Sequence, residues 1–411
     1  VIQPGVIGAV AGPGRESTLK PRTRADVAAA VETPAFVVDE RVVLEALKSA
    51  DRLRGLCGCR VLYALKPLAC PFVLDLMRPW VDGFAASSVF EARLARSVLG
   101  DAGSVQVTTP GFRPAEVAEL GRLCNHVAFN SLSQLRRLAP ALGDPGKVGL
   151  RVNPGLSLVD DERYNPCRPH SKLGVPVATL RRQLTRDPSL LDGFRGLHFH
   201  SNCDADDFEP LLRTVRLLEG RLGRWLHRLE WINLGGGYPL SPAAGPGPLV
   251  EAVDLLRSKY GLEVFIEPGA AFVREAGYLV AEVIDMFRSG GKTVAVLDTT
   301  VNHAPEVYEY QFEPDVLGHD DDADYEYLLA GSSCLAGDVM GEYGFHEPLR
   351  VGSRVVLPDL GAYALVKAHM FNGINLPTVY SVTEAGRLVL RRRFTYDDFL
   401  SRAGGHVDEA V

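Results

Sequence analysis

Between residues 61 and 267 short apolar runs alternate with segments of helical spacing. The runs fall at 61–64, 83–86, 105–108, 126–129, 148–153, 196–200, 231–234 and 263–267. Runs this short and this continuously apolar predict strands covered on both faces. Helical periodicity fills the gaps at 88–99, 114–123, 131–142, 206–222 and 248–260, and two of these segments open on a capping box, Ser88 to Glu91 and Ser131 to Gln134. Such boxes satisfy the first free backbone N–H groups of a helix. Eight strands alternating with helices predict an α/β fold, a closed parallel (β/α)8 barrel; a doubly wound open sheet uses the same alternation and stays open as an alternative.

Beyond residue 277 the pattern changes. Strand-like runs at 277–287, 292–298, 325–330, 354–357 and 387–394 follow one another with little helix between them. They predict a separate C-terminal β domain, a sandwich or barrel. Thr33-Pro-Ala-Phe-Val-Val-Asp39 reads as one further strand that joins that sheet. The expected organisation is a flexible leader over 1–32, the joining strand over 33–40, the barrel over 41–277 and the β domain over 278–411.

A chain of 411 residues, 46% hydrophobic, can bury more than one core. The net charge of −7 argues against a nucleic-acid partner. No apolar run reaches the roughly 18–20 residues a membrane span needs. The seven cysteines form no Cys-x-x-Cys pair, and Cys57-Gly-Cys59 is too tight for a zinc knuckle, so a reduced, cytoplasmic compartment is expected. The aspartate-rich stretch 318–324 lacks the glycine and distal glutamate of a calcium loop. It reads as a solvated loop, and no metal is expected.

In a barrel the active site lies at the carboxyl ends of the strands. Reading off those ends gives Lys66, His200, the triplet Gly235, Gly236 and Gly237, and Glu267. A lysine desolvated at a strand end suits Schiff-base chemistry; a lysine that snorkels to water is the plain alternative. Three glycines after a strand let backbone N–H groups approach a phosphate, though a tight turn explains them nearly as well. Glu267 needs a cationic or donor partner, which a protonated pyridine nitrogen or Arg151 could supply. His198 and His200 alternate along one strand; His200 could stack on a flat ring, and His198 reads as packed filling. An aldehyde trap, a phosphate cradle and a carboxylate for a ring nitrogen together describe pyridoxal 5'-phosphate, the electron sink of amino-acid chemistry.

The chain resembles the fold-type III pyridoxal-phosphate decarboxylases, and within them the carboxynorspermidine (carboxyspermidine) decarboxylase branch. The stretches that carry the likeness include Tyr63-Ala-Leu-Lys66, Ala86-Ser-Ser-Val-Phe-Glu91, Arg151-Val-Asn-Pro154 and Tyr164-Asn-Pro-Cys167. His198-Phe-His200, Leu234-Gly-Gly-Gly237, Glu267-Pro-Gly269, Ser333-Cys-Leu-Ala-Gly-Asp338 and Phe371-Asn-Gly373 continue it. The resemblance implies that Lys66 carries the cofactor, His200 stacks on it, and the triplet with Tyr363 holds its phosphate. It further implies that Glu267 pairs with the ring nitrogen. Cys334 and Asp338 would reach the active site of a neighbouring subunit in a homodimer, Cys334 as proton donor to the carbanion.

The implied reaction is α-decarboxylation of a cationic amino acid with a distal amine, whose tail Glu306 and Asp338 would bind. The chain departs from the pattern at Ala270, where the related enzymes carry a second glutamate, and at Glu306, where they tend to carry aspartate. Both belong to the region expected to recognise distal amines, so a related diamino acid of a specialised pathway is a second reading. A racemase, a non-catalytic pyridoxal-phosphate carrier, and a metal enzyme built on His198, His200 and Cys203 are weaker alternatives.

Overall fold

The computed structural model describes residues 23–159, 161–241 and 244–405. The chain divides into two compact units, one comprising Leu44–Phe272 and the other the residues on either side of it.

In the outer unit, strand β1 (Ala35–Asp39) pairs parallel with a strand more than 300 residues later and antiparallel with another. The barrel of the inner unit is β2 (Arg60–Ala64), β3 (Gly83–Ala86), β4 (Ser104–Thr108), β5 (His126–Phe129) and β6 (Val148–Asn153), a two-residue β7 (Val175–Pro176) off the ring, then β8 (Gly196–His198), β9 (Trp231–Asn233) and β10 (Glu263–Ile266). Its ring pairs are all parallel, and β10 closes onto β2. This is the closed barrel, not the open sheet.

Alternation along the strands turns every second side chain inward. Leu62, Ala64, Ala85, Ala128, Trp231 and Phe265 form the apolar filling. Trp231 fixes the identity of two strand glycines. A Cβ on Gly196 would lie 1.9 Å from its indole and one on Gly149 2.4 Å. The two expected capping boxes form with one change. Ser88 and Ser131 accept from the backbone of Glu91 and Gln134, but the return bonds go to the N–H of Ser87 and Asn130, one residue before the cap.

The outer unit continues with β11 (Gly277–Ser289), β12 (Lys292–Leu297), β13 (Tyr325–Ala330), β14 (Val339–Phe345), β15 (Arg354–Leu357), β16 (Thr378–Val382) and β17 (Leu388–Arg392). Its sheet runs β14-β13-β12-β11-β1-β16-β17, with β15 also on β11. Part of the expected leader, residues 1–22, lies outside the described residues. The rest is not a flexible leader: Arg24–Ala30 is a helix, capped by a Thr23–Asp26 box, and it buries Val27 and Ala28 against Tyr278, Val356 and Tyr380. No described helix is long and apolar enough to cross a membrane.

Candidate active site

At the carboxyl ends of the barrel strands a cavity of about 500 Å³ is lined by Lys66, Arg151, His198, His200, Cys203 and Glu267, among others. Lys66 lies two residues past β2. The turn that presents it is pinned by the Tyr63 hydroxyl, which donates to the Leu68 carbonyl at 2.8 Å. Pro67 packs on Gly269, where a Cβ would come within 2.8 Å of the proline ring, so the glycine of Glu-Pro-Gly makes room for the lysine turn. Lys66 is exposed into the cavity rather than desolvated. By itself this exposure fits the plain alternative of a lysine that reaches water; what sets Lys66 apart is the company of His200 and Glu267 on the same cavity.

Glu267 is 7% exposed. Its Oε1 faces His198 Nε2 at 3.1 Å, and its Oε2 accepts from Asn233 Nδ2 at 3.1 Å. Burial alone would push this carboxyl up. His198 beside it and the field of Lys66 outweigh burial and hold it below the usual carboxylate range. Arg151 forms no ion pair with it, so that alternative falls. His198 is not inert filling either, because it donates to the carboxylate. The guanidinium of Arg151 is buried beside the cavity, in the field of Glu267 but without a hydrogen bond among the described residues.

His200 lies past β8, not within a strand as expected. Its Nδ1 accepts from the Gly236 N–H at 3.0 Å. Burial, then Lys66 and Arg151, drive its pKa well below the usual histidine value, so the ring is neutral. Two N–H groups of the glycine triplet serve the turn itself. The Gly235 N–H donates to Asn233 Oδ1 at 2.8 Å and that of Gly236 to His200. A Cβ on Gly236 would lie 2.3 Å from the Glu267 carbonyl. Close packing of three strand ends therefore demands glycine here, and two of the three N–H groups are engaged within the protein.

The remaining predicted residues belong to the outer unit, save Ala270, which opens a short helix, Ala270–Val273. Cys334 is exposed, and its N–H donates to Asn372 Oδ1 at 2.8 Å. Asn372 has φ 57° in the Phe371-Asn-Gly373 turn. Asp338, by contrast, is 3% exposed. It accepts from the N–H groups of Val301 at 2.7 Å and Ser333 at 3.0 Å, and from the Ser333 hydroxyl. Its carboxylate folds the loop that carries Cys334. Glu306 and Tyr363 line one cavity of about 280 Å³ with Arg274. Glu306 is raised by burial, partly offset by Lys367, whose ammonium lies 3.4 Å from Oε1 and also pairs with Glu309. Sequence reasoning missed Asn233, Asn372 and Lys367; a carboxamide at a strand end and the neighbourhood of Phe371-Asn-Gly373 were the available signals.

An amine, a buried ionised carboxylate and a flat neutral imidazole on one cavity fit the aldehyde, ring nitrogen and ring face of pyridoxal 5'-phosphate. No cluster of three or more metal-binding side chains occurs among the described residues.

The family model "Pyridoxal-dependent decarboxylase, C-terminal sheet domain" matches residues 35–361. A carboxynorspermidine/carboxyspermidine decarboxylase of Herminiimonas arsenicoxydans is 33% identical over 90% of this chain and 99% of its own length. A carboxyaminopropylagmatine decarboxylase of Synechocystis is 35% identical, covering 90% and 95%. The crystal structure of carboxynorspermidine decarboxylase from Campylobacter jejuni, complexed with norspermidine, superposes with a TM-score of 0.81 at 28% identity, covering 90% of this chain and all of that one. The chain thus belongs to the pyridoxal-dependent decarboxylases, enzymes of the fold-type III architecture that work with pyridoxal 5'-phosphate.

Proposed function

We propose that this decarboxylase acts on carboxynorspermidine or carboxyspermidine, releasing carbon dioxide and leaving norspermidine or spermidine. The observation that carries the substrate class is identity above 30% to a decarboxylase of that name along 99% of its length. Bound pyridoxal phosphate supplies an electron sink for the carbanion left at the α-carbon. Lys66 would hold the cofactor through its ε-amine. Glu267 would face the ring nitrogen, and its ionised state favours a proton there. Neutral His200 offers a flat ring face, and Arg151 a buried cation for an anionic group. The Gly237 N–H and Tyr363 would hold the phosphate. Cys334 would return a proton to the α-carbon, with Asp338 fixing its loop, and Glu306 would face the substrate's distal ammonium.

The sharing of Cys334 between subunits makes the working unit a homodimer in this reading. The unpaired thiols of Cys57 and Cys59, 3.1 Å apart, suit a reducing cytoplasm. A second reading, a carboxylated aminopropylagmatine as substrate, is favoured by the Synechocystis relative and by Ala270, which removes one ammonium partner.

Carbon dioxide release from carboxynorspermidine, carboxyspermidine, carboxyaminopropylagmatine, diaminopimelate, lysine and ornithine, measured on the holoenzyme, separates these readings. Highest kcat/KM on the first two is expected; preference for the third supports the second reading, and preference for any other overturns both. Lys66→Ala is expected to abolish the bound-cofactor absorbance band.

A further inference from the structure

Among the described residues, three buried nitrogen atoms of the barrel core find no hydrogen-bond partner: Gln106 Nε2, His126 Nδ1 and His198 Nδ1. The three side chains come from β4, β5 and β8, yet all line one cavity beneath Glu267, together with Asn233. Gln106 is 5% exposed and His198 2%. A buried donor or acceptor left without a partner is costly, so three that line one cavity point to a common partner. The cavity leaves about 10 Å³ for the centre of a water-sized sphere, which is the room one water takes.

The donor directions follow from the backbone outward. The Gly235 N–H must donate, so Asn233 presents Oδ1 to it. Asn233 Nδ2 then donates to both Glu267 Oε2 and Gln106 Oε1, at 3.1 and 2.9 Å. Gln106 therefore turns its amide nitrogen, a donor, into the cavity. On the other side the Glu267 carboxylate can only accept, so His198 Nε2 carries the proton. Burial lowers the His198 pKa despite Glu267, so the ring is neutral and its Nδ1 is a bare acceptor. A water accepting from Gln106 and donating to His198 closes a ring of hydrogen bonds through Asn233 and Glu267. Its remaining capacity meets His126 Nδ1.

We propose that a single ordered water, held by Gln106, His126 and His198, fixes His198 as the Nε2–H tautomer and makes it the positioning residue for the Glu267 carboxylate. The other tautomer would set a lone pair against the carboxylate. The catalytic consequence rests on the reading that Glu267 faces the cofactor's ring nitrogen.

Two measurements decide the matter separately. In cofactor-free protein labelled with [15N]histidine, His198 is expected to be protonated at Nε2 and bare at Nδ1, and a high-resolution crystal structure to show water within bonding distance of all three nitrogens. An Nδ1–H tautomer or a dry cavity overturns the proposal. This arm needs no variant, so it decides even if His198→Leu fails to fold. In holoenzyme carrying [15N]pyridoxal phosphate, His198→Leu is expected to shift the ring-nitrogen signal toward the unprotonated form. kcat should fall about ten- to hundredfold with KM little changed, the loss of one hydrogen bond to a charged group, and His198→Gln, which keeps a donor, should recover part of it. If Glu267→Gln moves the ring signal and His198→Leu does not, the positioning role is wrong and the Glu267 reading stands. If Glu267→Gln leaves the signal unmoved, that reading is the one that fails.

Discussion

The backbone N–H of Gly236 donates to His200 Nδ1 at 3.0 Å, and this one bond ties the glycine turn after β9 to the residue expected to stack on the cofactor. The bond requires a bare Nδ1, and burial keeps the ring neutral. Below the free-histidine value near pH 6.5 the unfolded chain takes up a proton that folded His200 refuses. Stability is thus full above about pH 6.5 and falls as pH drops, by about 1.4 kcal/mol per pH unit for each such histidine. His200→Phe keeps a flat ring but orphans the Gly236 N–H. Urea midpoints of the cofactor-free protein should fall at pH 7 by an amount corresponding to roughly 1–3 kcal/mol. Between pH 6.5 and 5 the variant should lose less stability than the parent, because one of its titrating histidines is gone.

Asp338 and Cys334 are coupled through the loop that joins them. Asp338→Asn puts an amide against three donors, so the loop loses its anchor while the exposed thiol remains. The variant is expected to keep the cofactor absorbance band and lose most of kcat. Cys334→Ala should lower kcat by roughly 10²- to 10⁴-fold, the usual span for removing a general acid, again with the cofactor bound. Single-turnover kinetics that show normal carbon dioxide release but slow product formation would locate the defect at protonation.

The Glu306 carboxylate is half engaged by Lys367 at 3.4 Å, a distance that leaves room for a better ammonium partner. If a substrate amine takes that place, Glu306→Gln removes a charge-assisted bond worth about 1.5–3 kcal/mol. KM for the preferred triamine should rise about ten- to hundredfold, while cofactor affinity, read by absorbance titration, stays at the parent value.

Much of this was legible in the chain because parallel barrel strands are covered on both faces and read as plain apolar runs. All eight ring strands fall within the predicted runs to within two residues. The sheet was harder. Val339–Phe345 contains Gly341 and Gly344, which break the apolar run, and Thr378–Val382 is buried at every position, so it shows no alternation. The helix Arg24–Ala30 was hidden by the glycine- and proline-rich sequence before it, although the Thr23-x-x-Asp26 box marked its start. In the site, Lys66, His200 and Glu267 were found by position at strand ends. What was not legible is the traffic between them. Whether a glycine N–H goes to a phosphate or to His200, and whether His198 fills space or holds Glu267, depends on side-chain directions that spacing alone does not fix.

The exposed Cys334 and the barrel lysine offer a test of shared active sites that needs no structure of the dimer. If Cys334 serves the neighbouring subunit, a Lys66→Ala chain and a Cys334→Ala chain each form inactive homodimers. A mixed dimer, however, pairs the intact Lys66 of one chain with the intact Cys334 of the other at one of its two sites. Random pairing makes half of the dimers mixed, so co-expression in equal amounts should restore roughly a quarter of parental activity, as two-fold symmetry requires. If each subunit used its own cysteine, every site would still carry one lesion and the mixture would stay at the level of the separate variants. Activity of the co-purified mixed dimer, isolated with two different tags, therefore reads out which chain supplies the proton.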